Sequence, residues 1–323
     1  MDRRQLGRTG IEVSPIGLGC MQLSGGGLTA GFYPHIDQPT ATSIVGAALD
    51  GGVDWFDTAE LYGSGGSERA LTTALAQRGI EPGGVTIATK WLPLLRTAAS
   101  ITHTVGARLE ALQGFPIDLH QIHMPFGNLS SIPAQVRRMA DLKESGRIRA
   151  VGVSNFSARQ MTAAHNLLRS RGIELASNQV QVSLLKRDIE RDGTLEAARR
   201  LGITLIAYSP LHSGLLTGKF HADPGLVAAV PRTRRAIGGF SPKALARTAP
   251  LIDELRAIGD AHGATPAQVA LNWLVGFYGD TVIVIPGASR PHQAAESAGA
   301  MDLTLTARER DRLDELSRAC TSR

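Results

Sequence analysis

The chain has 323 residues, 43% hydrophobic and 20% charged, with a formal net charge of +5. That length holds one large barrel or two average domains, and no apolar run approaches the ~18 residues that span a bilayer. The opening Met1-Asp2-Arg3-Arg4-Gln5 lacks a secretory apolar stretch, and Cys20 and Cys320, near opposite ends, suggest no disulfide framework. A cytoplasmic protein with no membrane partner is expected. The densest basic group, Arg232-Thr233-Arg234-Arg235, sits in a Gly/Pro-containing stretch rather than on a helix face. No aromatic-interleaved basic stripe accompanies it, so nucleic acid is not expected as a partner.

Residues 4–13 read as a β-hairpin turning near Gly7–Gly10. Short apolar runs then alternate with helical spacing. In chain order, strands are expected at Ile16–Cys20, Val53–Asp57, Val85–Lys90, Asp118–His123, Ile148–Ser154, Ala176–Val180, Thr204–Tyr208 and Val282–Ile285. Helices are expected between them, at Thr42–Asp50, Ser67–Arg78, Ala134–Glu144, Ala158–Arg169 and Leu195–Leu201, with Ser157 and Asp192-Gly193 as start signals. The stretch from Ser209 to Asp280 is too long for one crossover. It reads as a loop, Gly218–Phe240, followed by helices at Lys243–His262 and Pro266–Phe277. Strands separated by helices run parallel, and eight such units favour a single (β/α)₈ barrel over residues 1–323. The rival is an open doubly wound sheet, which needs G-x-G-x-x-G directly after a strand. Here Gly63-Ser64-Gly65-Gly66-Ser67-Glu68 fails at the last glycine and lies several residues beyond Asp57.

Barrels do their chemistry at the C-terminal ends of the strands. By the period of two, Asp57 shares a face with Val53 and Trp55, Lys90 with Thr86 and Ala88, and His123 with Leu119 and Gln121. Three adjacent strand ends can thus aim Asp57, Lys90 and His123 at one space, which Tyr62 can reach from the loop after the second strand. Taken singly, each has a plainer role: Asp57 as a helix cap, His123 as a satisfied strand-end residue, Tyr62 as packing. Lys90 is harder to dismiss, because lysine occurs five times in the chain and is costly to bury unpaired. His120 has the opposite parity and reads as structural. Together the four suit proton transfer at a carbonyl: the ammonium lowers the phenol pKa, and Asp57 holds the ammonium in place.

The blocks Phe56-Asp57-Thr58-Ala59-Glu60-Leu61-Tyr62-Gly63, Ile87–Lys90, Asp118–Pro125, Val151–Phe156, Tyr208–Leu211, Gly214–Lys219 and Ile285–Ser289 resemble, in order, the aldo-keto reductase superfamily. The overall likeness leans to its pyridoxal reductase-like members. The resemblance implies an NADP(H)-dependent oxidoreductase that reduces an aldehyde or ketone, with Asp57, Tyr62, Lys90 and His123 as catalytic residues and Tyr62 as proton donor. It implies that Ser154, Asn155 and Gln179 hold the nicotinamide carboxamide and that Tyr208 stacks on the ring. Gly19, Met21 and Asp57 would also border the cofactor, and Ser209, Pro210, Leu211, Gly214 and Lys219 its pyrophosphate. Gly287, Ser289, Arg290, Gln293, Glu296 and Ser297 would surround the adenosine end; Ser297 stands where the family often has asparagine. No metal site is expected. Substrate choice is expected in the loops 21–39, 125–131 and 221–240, with Phe32, Tyr33, His35, Phe126, Asn128 and Phe240. The alternative is a cofactor-binding regulatory subunit with little turnover. Oligomeric state cannot be read from the sequence.

Overall fold

The computed structural model describes residues 1–25, 35–237 and 239–321. A short hairpin pairs β1 (Arg4–Gln5) with β2 (Glu12–Val13). The remaining strands are β3 (Leu18–Gly19), β4 (Trp55–Asp57), β5 (Thr86–Trp91), β6 (Leu119–Ile122), β7 (Ala150–Ser154), β8 (Leu175–Gln181), β9 (Thr204–Tyr208) and β10 (Val282–Ile285). All eight run parallel in sequence order. Bridges from Ile16 to Val284 and from Gly19 to Gly287 join the two edges, so the sheet is a (β/α)₈ barrel with no long exposed edge.

Helices α1 (Gln38–Asp50), α2 (Gly66–Gln77), α3 (Ala99–Ala111), α4 (Ile132–Glu144), α5 (Ala158–Arg169) and α6 (Thr194–Leu201) fill the crossovers. Their starts follow side-chain chemistry. Asp37 accepts from the Thr40 amide at α1, and Ser157 with Gln160 forms a capping box at α5. The segment 218–240 differs from the expected irregular loop. It contains α7 (Lys219–Ala222), a 3₁₀ segment at Pro224–Ala229 and α8 (Arg232–Ile237), which places the Arg232–Arg235 group on a helix after all. These pieces are one or two turns long, below the length at which periodicity is legible. Helices α9 (Pro242–His262), α10 (Pro266–Phe277), α11 (Pro291–Gly299) and α12 (Ala307–Thr321) complete the outer layer.

The barrel interior changes character along its axis. Its lower layer is apolar: Trp55, Ala88, Leu119, Ala150, Ala176, Ile206 and Ile283 pack against Leu6, Ile11 and Val13 of the hairpin. Those three hairpin side chains are almost fully buried, which contributes on the order of 6 kcal/mol before ordering costs. Two residues further along β4, β5, β6 and β9 the same face turns polar, with Asp57, Lys90, Gln121 and Tyr208.

Candidate active site

Strand pairing sets the site. Asp57 lies opposite Ala88 across β4 and β5, and Lys90 opposite Gln121 across β5 and β6. The Lys90 ammonium contacts Asp57 Oδ1 and donates to the Thr58 carbonyl at 2.9 Å, both side chains being essentially buried. Asp57 Oδ2 accepts from the side-chain amides of Gln179 at 2.8 Å and Gln121 at 3.0 Å. Each carboxylate oxygen is therefore committed, and Asp57 is no helix cap.

Tyr62 reaches this pair from the loop after β4. Lys90 Nζ lies 5.1 Å from its ring centroid. The loop is folded tightly to allow this: Gly63 has φ +69°, and a Cβ there would fall 1.8 Å from the Ser24 carbonyl oxygen. His123 meets the Tyr62 ring edge-on, with centroids 5.9 Å apart and an interplanar angle of 84°. Its Nδ1 is buried with no hydrogen-bond partner among the described residues.

The electrostatics correct one expectation. Burial pushes the Tyr62 phenol above its ordinary value, and the opposing pull of Lys90 does not overcome it. Tyr62 is thus held protonated rather than poised to ionise. Burial disfavours the Lys90 ammonium, but Asp57 and Tyr62 outweigh that and raise its pKa. Burial, assisted by Lys90, lowers His123 to about 3, so its imidazole is neutral at physiological pH. His120 is buried outside this group and falls to about 4, chiefly through burial.

A second polar set lines the ends of β7, β8 and β9. Ser154 Oγ donates to the Gln179 main-chain oxygen at 2.9 Å, and Asn155, at φ +60°, donates to Ser154 Oγ at 3.0 Å and to the His123 carbonyl at 3.3 Å. The Tyr208 hydroxyl donates to Asn155 Oδ1 at 3.0 Å. Beyond β9 the backbone turns left-handed at Ser209, His212, Ser213 and Gly214. Leu211 and Pro210 belong to this turn, and a Cβ on Gly214 would lie 3.7 Å from Lys219 Cε. On the far side, Gly19 pairs with Asp57 and Met21 opens a 3₁₀ turn. Gly287 and Arg290 are exposed after β10, and Arg290 immediately precedes α11 without a side-chain capping hydrogen bond. The Gln293 side chain accepts from the Ser289 amide at 2.9 Å. Glu296 on α11 is half-buried, whereas Ser297 is buried.

Sequence reasoning left out several participants. Gln121 shares a face with His123 and was visible by parity alone. The Thr58 carbonyl was not, because main-chain acceptors leave no sequence signal. Glu60 binds Arg96 at 2.5 Å and also the Leu92 amide, tying the Tyr62 loop to the segment after β5. Of the expected substrate-loop residues, Phe126 and His35 are exposed. Asn128 donates within its own turn, to the Pro125 carbonyl at 3.2 Å. Phe240 does not open on the site: it packs on Phe220, with ring centroids 4.9 Å apart, in a satellite cluster with Leu215, Val230 and Leu245. Phe32, Tyr33 and residues 26–34 as a whole lie outside the described residues. Among the described residues, no group of His, Cys, Asp and Glu could hold a metal ion, and no helix is long and apolar enough to cross a membrane.

An eight-stranded parallel barrel with a buried carboxylate, ammonium, phenol and imidazole at its C-terminal mouth defines a class of barrel oxidoreductases. The model of the aldo/keto reductase family matches residues 15–318, and the chain belongs to that family. It is 39% identical over 312 residues to an uncharacterised oxidoreductase of Mycobacterium tuberculosis, covering 95% of this chain and 90% of the relative. It is 31% identical over 318 residues to the chloroplastic pyridoxal reductase of Arabidopsis thaliana, covering 94% and 83%. The glycerol dehydrogenase of Gluconobacter oxydans superposes with a TM-score of 0.82 at 28% identity, covering 98% of this chain and 95% of that one.

Proposed function

We propose that this protein reduces an aldehyde or ketone to the alcohol with NADPH, using Tyr62 as the proton donor. The observation that carries the reading is the buried Asp57–Lys90 pair set against a protonated Tyr62, beside a neutral His123. The chemistry a reduced nicotinamide cofactor supplies when bound is a hydride. A carbonyl oxygen placed between Tyr62 and His123 gains negative charge as the carbonyl carbon is reduced. Tyr62 passes it the phenolic proton, and Lys90 stabilises the phenolate left behind until solvent restores it. His123, being neutral, orients the oxygen through a ring N–H without competing for the proton.

The donor set at the strand ends fits the cofactor. Ser154, Asn155 and Gln179 offer a hydroxyl and two amides within one hydrogen-bonded row, which suits a carboxamide, and Tyr208 supplies a ring beside them. Ser209, Pro210, Leu211, Gly214 and Lys219 would border a pyrophosphate, since left-handed turns expose amide N–H groups and Lys219 adds charge. Gly287, Ser289, Arg290, Gln293, Glu296 and Ser297 would hold the adenosine end. Arg290, at the start of α11, is the group that favours a 2′-phosphate.

Fluorescence titration with NADPH and NADH tests this first, followed by a screen of aldehydes and ketones against the loaded protein. Tight NADPH binding with turnover is the expected result. Binding without turnover on any carbonyl would count against the reductase, and no binding at all would count against the cofactor assignment.

A further inference from the structure

Gln121 stands in the barrel interior, two residues before His123 and across from Lys90. Its side-chain nitrogen must be the end that faces Asp57, because a carboxylate only accepts. That leaves Gln121 Oε1 buried, with no hydrogen-bond partner among the described residues. An unpaired buried oxygen costs stability, and an unbranched apolar side chain of the same length would avoid the cost. The fold nonetheless makes room for the amide. Gly152 on the neighbouring strand lies against it, and a Cβ there would meet Gln121 Cγ at 2.9 Å and Ser177 Oγ at 2.6 Å. A side chain kept against its own burial cost, in a space cleared by a glycine, is held for what its nitrogen does.

We propose that Gln121 is a positioning residue: it fixes the Asp57 carboxylate and, through it, tunes Lys90 and the proton donor Tyr62. The proposal rests on Tyr62 acting as the acid. Two amide dipoles aimed at Asp57 Oδ2 stabilise the carboxylate charge and set its plane, leaving Oδ1 for the ammonium. With one N–H removed, more of that charge bears on Lys90, and the ammonium stabilises a Tyr62 phenolate less. The titratable groups facing the cluster are Lys90 on β5, Tyr62 after β4, Cys20 after β3, His123 after β6 and Tyr208 on β9. At neutral pH His123 is uncharged and Cys20 a thiol. Lys90 is therefore the cation through which Asp57 acts on Tyr62.

Gln121→Met keeps the length and removes the amide; it is compared with wild type and Tyr62→Phe, loaded with NADPH and given a carbonyl that the wild type reduces. The single-turnover rate should fall about tenfold, with the alkaline limb of its pH profile moved to higher pH. Gly152→Ala, which crowds Gln121 Cγ, should move the pH profile the same way. An unmoved profile in folded Gln121→Met overturns the positioning role, whether or not the melting temperature falls. Should that variant not fold, an unmoved profile in Gly152→Ala decides against it equally. Wild-type turnover in Tyr62→Phe removes the proton donor and the proposal together. Loss in Tyr62→Phe beside a wild-type Gln121→Met removes the positioning role alone.

Discussion

Two buried ion pairs sit on opposite sides of β5. Lys90 points into the barrel to meet Asp57, while Thr89 points outward and donates to Glu68 at 2.6 Å, whose other oxygen takes Arg108 at 2.7 Å. Both pairs join a nearly inaccessible carboxylate to a cation, and either alone would attract attention as a perturbed site. Burial raises the Glu68 pKa in spite of Arg108, as it would in many active sites. The difference is in what lies beside them. Glu68–Arg108 joins α2, β5 and α3 and is sealed within the helix layer. Asp57–Lys90 faces a phenol and a neutral imidazole at the mouth of the barrel. Buried charge by itself does not separate the two; a phenol and a neutral imidazole beside one of them mark it as the candidate for chemistry.

The strongest test of that contrast is Tyr62→Phe. Deleting the proposed proton donor should lower carbonyl reduction by about a thousandfold while NADPH binding, followed by fluorescence, stays near wild type. Wild-type turnover would place the chemistry elsewhere. Exchanging the cations separates the pairs next. Lys90→Met should remove most activity, whereas Arg108→Met should cost about 3 kcal/mol in denaturant unfolding and leave kcat/KM within about twofold. A drop in activity for Arg108→Met that matches Lys90→Met would erase the distinction. Arg290→Ala should weaken NADPH about tenfold more than NADH in the same titration; equal losses would mean that another group reads the phosphate.

The smallest effect concerns acid stability. His120 and His123 are neutral in the fold down to about pH 4 and 3, while an unfolded chain protonates them near 6.5. Between those values the unfolded state binds more protons, so stability falls as pH drops below 6.5. His120→Asn, which leaves the mouth intact, should flatten the decline in melting temperature between pH 6.5 and 4.5. An unchanged slope would assign the decline to other groups.

Much of this was legible in the sequence, for identifiable reasons. The alternation of strand and helix gave the barrel, and the period of two put Asp57, Lys90 and His123 on inward faces, because β-geometry tolerates no other parity. What stayed hidden depends on partners distant in sequence. The amide of Gln179 reaches Asp57 across 122 positions, and Glu68 looks like any first-turn acid of a helix until Thr89 and Arg108 surround it. The suppression of Tyr62 ionisation was hidden too, since the sequence shows the neighbouring ammonium but not the depth of burial. The short helices of 219–237 failed for length, and Phe240 for lack of any local mark that its loop turns it inward.

The hairpin at the start of the chain has a consequence for traffic. Leu6, Ile11 and Val13 pack across the lower end of the barrel, so the buried polar cluster above them has an apolar floor. On the proposed reading, carbonyl, alcohol and cofactor all approach from the strand ends above that floor, and whichever lies deepest leaves last. A two-stranded stopper at the opposite end of the strands would thus help to set the order in which they arrive and depart.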